Sequence, residues 1–312
     1  MIALLPDEVR QRTGFAVEIS DLTRRFGPKV ALDRIDLKVP AGSVFGLIGE
    51  NGAGKTTIIK HILGLYKAQA GAVRVFGQDP VADPVGVLSR IGYLSEESDL
   101  PMWMRVNELM RYTQAFYSTW DEAYAETLRA EFALDKKAQI KSLSKGQRAR
   151  AGLLAALAYR PELLLLDEPS SGLDPIVRRD ILGAIVRTIA DEGRTVLFSS
   201  HLLSEVERVC DYVAMIKNGR IVFCDSLDEI KAGHLWITLR FETTRTEPPA
   251  ITAAHGWSGG GCEWRAVYCG PVGQAEAAAA VCGAKIVQYQ SPSLNEIFVA
   301  RTGGTAVPGQ QE

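Results

Sequence analysis

No window of this sequence approaches the roughly 18 uninterrupted apolar residues of a membrane-spanning helix. The longest candidate, residues 153–166, is cut by Arg160-Pro161-Glu162. The apolar start Met1-Ile2-Ala3-Leu4-Leu5 runs directly into Pro6-Asp7-Glu8, too short a run for a secretory leader. A soluble, cytoplasmic chain is expected, with any membrane span provided by another polypeptide. Cysteines are few and odd in number: Cys210, Cys224, Cys262, Cys269 and Cys282. No C-x-x-C pair occurs, so neither a disulfide framework nor a zinc set is indicated, and free thiols in a reducing compartment are expected. An excess of one charge is also missing, with 35 Lys and Arg against 37 Asp and Glu. That balance gives no reason to expect a nucleic-acid or anionic-membrane surface.

What is present is a core of substantial size. At 312 residues with 46% hydrophobic content, the chain can hold one large α/β domain and a smaller one. The apolar run Val44-Phe45-Gly46-Leu47-Ile48 leads into Gly49-Glu50-Asn51-Gly52-Ala53-Gly54-Lys55-Thr56-Thr57, which fits G-x-x-x-x-G-K-[ST]. This is a strand, a glycine loop and a helix start. Glycines let successive backbone N–H groups turn toward a phosphate, the helix N-terminus adds its dipole, and Lys55 adds a point charge. Thr56 offers a hydroxyl to Mg²⁺. No N-K-x-D guanine motif occurs in the chain.

Residues 1–14 read as a tail. Residues 15–19 and 31–39 alternate apolar and polar like half-buried strands, with Thr23-Arg24-Arg25-Phe26-Gly27-Pro28 expected as a turn between them. Residues 72–76 and 91–94 are strand-like, and residues 97–158 form a largely helical subdomain, in which Ser144 is placed to cap a helix over 146–159. Met102-Trp103-Met104, just before it turns helical, either packs locally or forms an exposed apolar patch. Leu163-Leu164-Leu165-Leu166 is a buried parallel strand ending in Asp167-Glu168. A helix over 176–192, a strand over 195–199, His201, a helix over 203–209 and strands over 213–217 and 220–224 complete an α/β pattern to residue 232. Residues 233–302 read as a small α+β unit with a loop at Gly259-Gly260-Gly261 and a capping box at Ser293-x-x-Glu296. Residues 303–312 read as a polar tail.

A phosphate loop needs acids for the metal and the water. Asp167 would hold Mg²⁺ through water, and Glu168 would polarise the attacking water. With these in place, Leu143-Ser144-Lys145-Gly146-Gln147 resembles the LSGGQ signature of ATP-binding-cassette (ABC) ATPases, and Gln147 stands 20 residues before Asp167, a spacing similar to that family's. Leu166-Asp167-Glu168-Pro169-Ser170-Ser171-Gly172-Leu173-Asp174-Pro175 resembles the joined Walker B and D-loop, and Ser199-Ser200-His201 the switch histidine. Phe26 matches the aromatic that stacks on adenine.

The resemblance implies a P-loop NTPase cassette over residues 15–232 and a small accessory domain over 233–302, similar to that of ABC-2-type exporter ATPases. It implies ATP and Mg²⁺ as ligands, and a homodimer or heterodimer sandwiching two ATP molecules. A separately encoded transmembrane permease and no nucleic acid are the partner expectations. In that scheme residues Gly49, Glu50, Asn51, Gly52, Ala53, Gly54, Lys55, Thr56 and Thr57 bind the phosphates. Ser144, Gly146 and Gln147 face the opposite subunit's nucleotide, Asp174 couples the two sites, and His201 holds the γ-phosphate and water. Thr56, Asp167 and Glu96 would ligate the metal. Glu96 stands where the family usually has Gln, and Lys145 where it has Gly; Glu50 replaces a common Pro. A carboxylate at 96 can ligate Mg²⁺ but repels a γ-phosphate. A ribosome- or DNA-directed cassette ATPase is disfavoured by the single cassette, and a non-hydrolysing module by the presence of Glu168 and His201.

Overall fold

The computed structural model describes residues 14–96, 99–190 and 193–302, apart from the side chains at 185 and 187–190. The chain separates into two compact units, Met1–Cys224 and Asp225–Glu312.

The first unit opens with β1 (Phe15–Phe26) and β2 (Lys29–Pro40), then β3 (Val44–Ile48), α1 (Lys55–Ile62), β4 (Ala70–Val75), α2 (Pro84–Leu88) and β5 (Ile91–Leu94). The helical stretch follows as α3 (Val106–Gln114), α4 (Glu122–Glu131) and α5 (Lys145–Leu157). It continues through β6 (Leu163–Leu166), α6 (Pro175–Ala190), β7 (Thr195–Ser200), α7 (Leu203–Val209), β8 (Tyr212–Lys217) and β9 (Arg220–Ser226).

Six strands form the main sheet in the order β5-β6-β7-β3-β8-β9, and β2-β1-β4 form a second, antiparallel sheet. β3 pairs in parallel with β7 and β8, and β6 with β5 and β7. Central parallel strands are covered on both faces, which explains why every residue of β3 and β6 is buried and why both read as unbroken apolar runs. The alternation in β1 and β2 has the opposite cause. Their inward side chains, Val17 opposite Val39 and Ile19 opposite Leu37, join Phe45, Leu47, Ile58, Ile59, Ile62 and Leu197 in one core. The core thus lies around α1, the helix that carries the phosphate loop. β8 and β9 are joined by Asn218-Gly219, both with positive φ (50° and 74°), the backbone of a two-residue hairpin turn.

Two local expectations are corrected. Thr23–Phe26 belongs to β1, which runs to Phe26 and turns only at Gly27-Pro28; pairing of Arg25 with Val30 and Phe26 with Lys29 overrides the turn-like composition. Gly259-Gly260-Gly261 lies inside a strand, described next.

The second unit contains α8 (Leu227–Ala232), β10 (His234–Arg245), β11 (Ala254–Cys269), α9 (Val272–Val281), β12 (Ala284–Gln290) and α10 (Leu294–Thr302). Its antiparallel sheet has the order β11-β10-β12. The three glycines are carried within β11, with an irregular register where Arg245 pairs with Gly261. Ile237, Leu239, Trp264, Ala266, Ala275 and Ala279 form its core. The capping box forms as expected. Glu296 N–H donates to Ser293 Oγ at 3.3 Å, and Ser293 N–H to Glu296 Oε2 at 2.7 Å.

Candidate nucleotide site

β3 delivers the chain to the phosphate loop, and α1 leaves it. Gly54 takes the N-cap position with φ 122° and no side-chain cap, so the first N–H groups of α1 have no side chain competing for them. A side chain there would be strained, and its Cβ would meet Leu32 at 2.8 Å and Ala31 O at 3.0 Å. At Gly49 a Cβ would fall 2.4 Å from the Ile216 carbonyl, so β8 packs directly on the loop. Lys55 is buried and folds back over the loop, donating to Gly49 O at 2.6 Å and lying 3.3 Å from Glu50 O.

The acids come from the end of β6. Asp167 accepts from Ser199 Oγ at 2.7 Å and hydrogen-bonds the Thr56 hydroxyl. Burial pushes its carboxyl above the ordinary value, aided by the charges of Glu168 and Glu96 and opposed by the two hydroxyls. Glu168 adopts φ 48°, a left-handed conformation that costs a residue with a side chain on the order of 1–3 kcal/mol. Its N–H donates to Ser199 Oγ at 2.9 Å. The turn aims its carboxylate between Lys55 and His201, with Oε1 2.9 Å from Lys55 Nζ and Oε2 2.6 Å from His201 Nδ1.

One cavity of about 340 Å³ is lined by Phe26, Asn51, Gly52, Gly54, Lys55, Thr56, Thr57, Glu96 and Glu168, together with Lys29 and Ala31. Phe26 is 41% exposed. The Arg24 guanidinium lies 4.7 Å from its ring centre, and Tyr66 meets it edge-on at 5.7 Å. Gly49, Glu50 and Ala53 belong to the same loop without lining the cavity.

Other expected residues stand elsewhere. Ser144 caps α5 in a reciprocal box: Gln147 N–H donates to Ser144 Oγ at 3.2 Å, and Ser144 N–H to Gln147 Oε1 at 3.0 Å. Gly146 is buried against Val177, leaving no room for a Cβ. Asp174 accepts from the N–H groups of Ile176 and Val177 at 3.0 and 3.1 Å, capping α6. Glu96 Oε1 accepts from Ser171 Oγ at 3.1 Å. It also borders a second, polar cavity of about 310 Å³ with Lys145, Arg148 and Ser171.

Three hydroxyl partners escape sequence reasoning: Ser199 on Asp167 and Glu168, Ser171 on Glu96, and Ser170 on the buried Glu205. The available signal is Ser199-Ser200 at the end of a strand that is buried throughout, since buried hydroxyls need partners.

For a divalent cation the donor set fits. A threonine hydroxyl beside a buried carboxylate, with a second carboxylate on the cavity wall, is a hard-oxygen environment suited to Mg²⁺. Among the described residues no group of three or more His, Cys, Asp or Glu could hold a metal ion.

The chain matches the family model described as ABC transporter over residues 32–171. It is 32% identical over 219 residues to an uncharacterised ABC transporter ATP-binding protein of Methanocaldococcus jannaschii, spanning 69% of this chain and 79% of the relative. A daunorubicin resistance ATP-binding protein of Streptomyces coeruleorubidus is 35% identical over 222 residues, 70% of each. A solved ATP-binding subunit of an ABC transporter aligns with a TM-score of 0.64 at 31% identity, over 69% of this chain and 92% of that one. With its glycine loop, the acids Asp167 and Glu168 and His201 gathered at one end of the sheet formed by β3, β6 and β7, the chain belongs to the ATP-binding-cassette family as an ABC transporter ATP-binding protein.

Proposed function

We propose that this chain hydrolyses ATP to drive an ABC-2-type exporter, working as a head-to-tail dimer around two ATP molecules on a separately encoded permease at the cytoplasmic face. The observation that carries the reading is the contact series Lys55–Glu168–His201, 2.9 and 2.6 Å long, at the cavity lined by the phosphate loop. The named resistance function of the Streptomyces relative supports export. We place the cassette at residues 15–232, with its helical subdomain at about 97–158, and the accessory domain at residues 233–302, although α8 (Leu227–Ala232) belongs to the second compact unit.

In this reading Phe26 stacks on adenine, and the loop N–H groups with Lys55 take the β- and γ-phosphates. Thr56, Asp167 and Glu96 would hold Mg²⁺, which supplies charge neutralisation of the phosphate oxygens when bound. Glu168 accepts the proton of the attacking water, and His201 orients that water and the γ-phosphate. The bond formed is water oxygen to γ-phosphorus; the bond broken is from γ-phosphorus to the β,γ-bridging oxygen, leaving ADP and phosphate. Catalysis is positioning and charge placement. Ser144 and the α5 N-terminus serve the opposite subunit's nucleotide, and Asp174 couples the two sites.

For the permease, the exposed aromatics Trp103 (72% exposed) and Phe116 (67%) of the helical stretch support docking. An apolar cavity of about 410 Å³ lined by Leu65, Tyr93, Leu100, Tyr117 and Tyr159 lies in the same unit. Met104, by contrast, is buried. No helix among the described residues is long and apolar enough to cross a membrane.

The test is phosphate release by the purified chain with and without Mg²⁺, paired with capture from detergent-solubilised membranes. Mg²⁺-dependent turnover and co-purification of a polytopic membrane protein are expected. Absence of turnover, or capture of ribosomes in place of a membrane protein, overturns the reading.

A further inference from the structure

The two segments that carry Glu168 and His201 meet again on a third acid. Glu205 sits in the first turn of α7 and is 6% exposed. Its Oε2 accepts from Ser170 Oγ at 2.6 Å and lies 3.3 Å from Ser200 Oγ. Ser170 is two residues past Glu168, and Ser200 immediately precedes His201. Ser170 and Ser200 are 1% and 0% exposed, so these contacts are shielded from water. The 2.6 Å bond to Ser170 has the length of a charge-assisted bond to a carboxylate.

This matters because Glu168 holds a left-handed backbone, with φ 48°. Such a conformation persists only where its surroundings over-determine it. On the near side Ser199 Oγ holds the Glu168 N–H. On the far side Ser170 is the first side chain after Pro169, and Glu205 is what holds it. The same carboxylate steadies Ser200, whose Oγ also accepts the Leu202 N–H at 2.9 Å.

We infer that Glu205 is a positioning residue: one buried carboxylate clamps the chain on both sides of the Glu168–His201 pair and so sets its 2.6 Å contact. The inference rests on the proposed roles of Glu168 and His201. Glu205 does not line the nucleotide cavity, and its removal acts on the turnover rate through those two residues.

The experiment compares Glu205→Ala, Glu205→Gln and Ser170→Ala for kcat, for KM, and for ATP affinity by equilibrium binding, with Glu168→Gln as the control. Glu205→Ala is expected to lower kcat at least tenfold while ATP affinity stays within threefold. Glu205→Gln keeps an acceptor oxygen for Ser170 and is expected to recover kcat to within about threefold of wild type. Ser170→Ala is expected to lower kcat several-fold in the wild type and less than twofold in the Glu205→Ala background, because the two act through one bond. Three results overturn the inference: a kcat for Glu205→Ala within twofold of wild type, equal losses in kcat and ATP affinity, or a Gln variant no better than Ala. If Glu205→Ala does not fold, Ser170→Ala combined with Ser200→Ala keeps the carboxylate and removes both hydroxyls; a wild-type kcat there overturns the inference. Turnover retained by Glu168→Gln instead overturns the catalytic roles on which it rests.

Discussion

Lys55 Nζ stands 2.9 Å from Glu168 Oε1, with the two side chains 5% and 6% exposed. The phosphate-loop cation and the proposed base therefore neutralise one another in a place with little water. On the proposed reading, a phosphate entering the loop would compete with Glu168 for Lys55, coupling binding to the freeing of the base through one ammonium. Removing one partner of a buried pair leaves the other uncompensated, at a cost of about 3–5 kcal/mol.

Glu168→Gln keeps the shape of the side chain and removes its charge. ATP binding is expected to be retained or tightened, because Lys55 is released to the phosphates, while steady-state hydrolysis is abolished. Phosphate release measured beside calorimetric ATP binding checks this; turnover at the wild-type rate removes Glu168 from the role of base. Lys55→Met in the chain without nucleotide should lower unfolding free energy by about 3 kcal/mol, and adding Glu168→Gln should restore at least half of that.

Ser144→Arg tests the signature. Loss of the cap on α5 costs about 1 kcal/mol, and the larger side chain obstructs a facing nucleotide. Light scattering in ATP is expected to show a monomer, with ATP affinity of that monomer within threefold of wild type. An undiminished dimer would count against placing Ser144 at the interface.

Glu96→Gln addresses the departure from the family's pattern. The carboxylate is held by Ser171 at 3.1 Å, so Ser171→Ala should free it and Glu96→Gln should remove it. The Mg²⁺ concentration giving half-maximal turnover is expected to rise at least threefold in Glu96→Gln and to change in the opposite sense, or not at all, in Ser171→Ala. Identical Mg²⁺ dependence in all three proteins makes the acid incidental.

His61 gives a pH dependence with a definite sign. It is 1% exposed, and its Nδ1–H donates to Thr57 O at 2.8 Å. Burial holds its pKa below the ordinary 6.5, with the Arg24 charge adding to this and the Thr57 bond opposing it. The unfolded chain then binds the proton more readily, so the contribution is complete above pH 6.5 and is lost as pH falls through the lowered folded value. Urea unfolding between pH 7.5 and about 5 should show stability falling faster in the wild type than in His61→Gln, which keeps a donor for Thr57. His234 and His255, also lowered mainly by burial, act equally in both proteins, so parallel curves would exclude His61.

The phosphate loop was legible because it is local: Gly54, Lys55 and Thr56 are neighbours, and the helix they start follows at once. The caps at Ser144 and Ser293 were legible for the same reason. Strand ends were less so. Thr23–Phe26 and Gly259–Gly261 carry turn-like residues yet lie in β1 and β11, because pairing with a partner strand outweighs weak local preference.

Sequence by itself determined the family and the order of its motifs and nominated the side chains proposed to carry chemistry, since each of those depends on residues a few positions apart. Only the tertiary structure decided whom those side chains meet. It set Glu168 between Lys55 and His201, turned Glu96 to Ser171, gave Asp174 the N-terminus of α6, and brought Ser170 and Ser200 onto Glu205. The parallel sheet does this physically. By laying β3, β6 and β7 side by side with their ends aligned, it converts long separations along the chain into contacts under 4 Å.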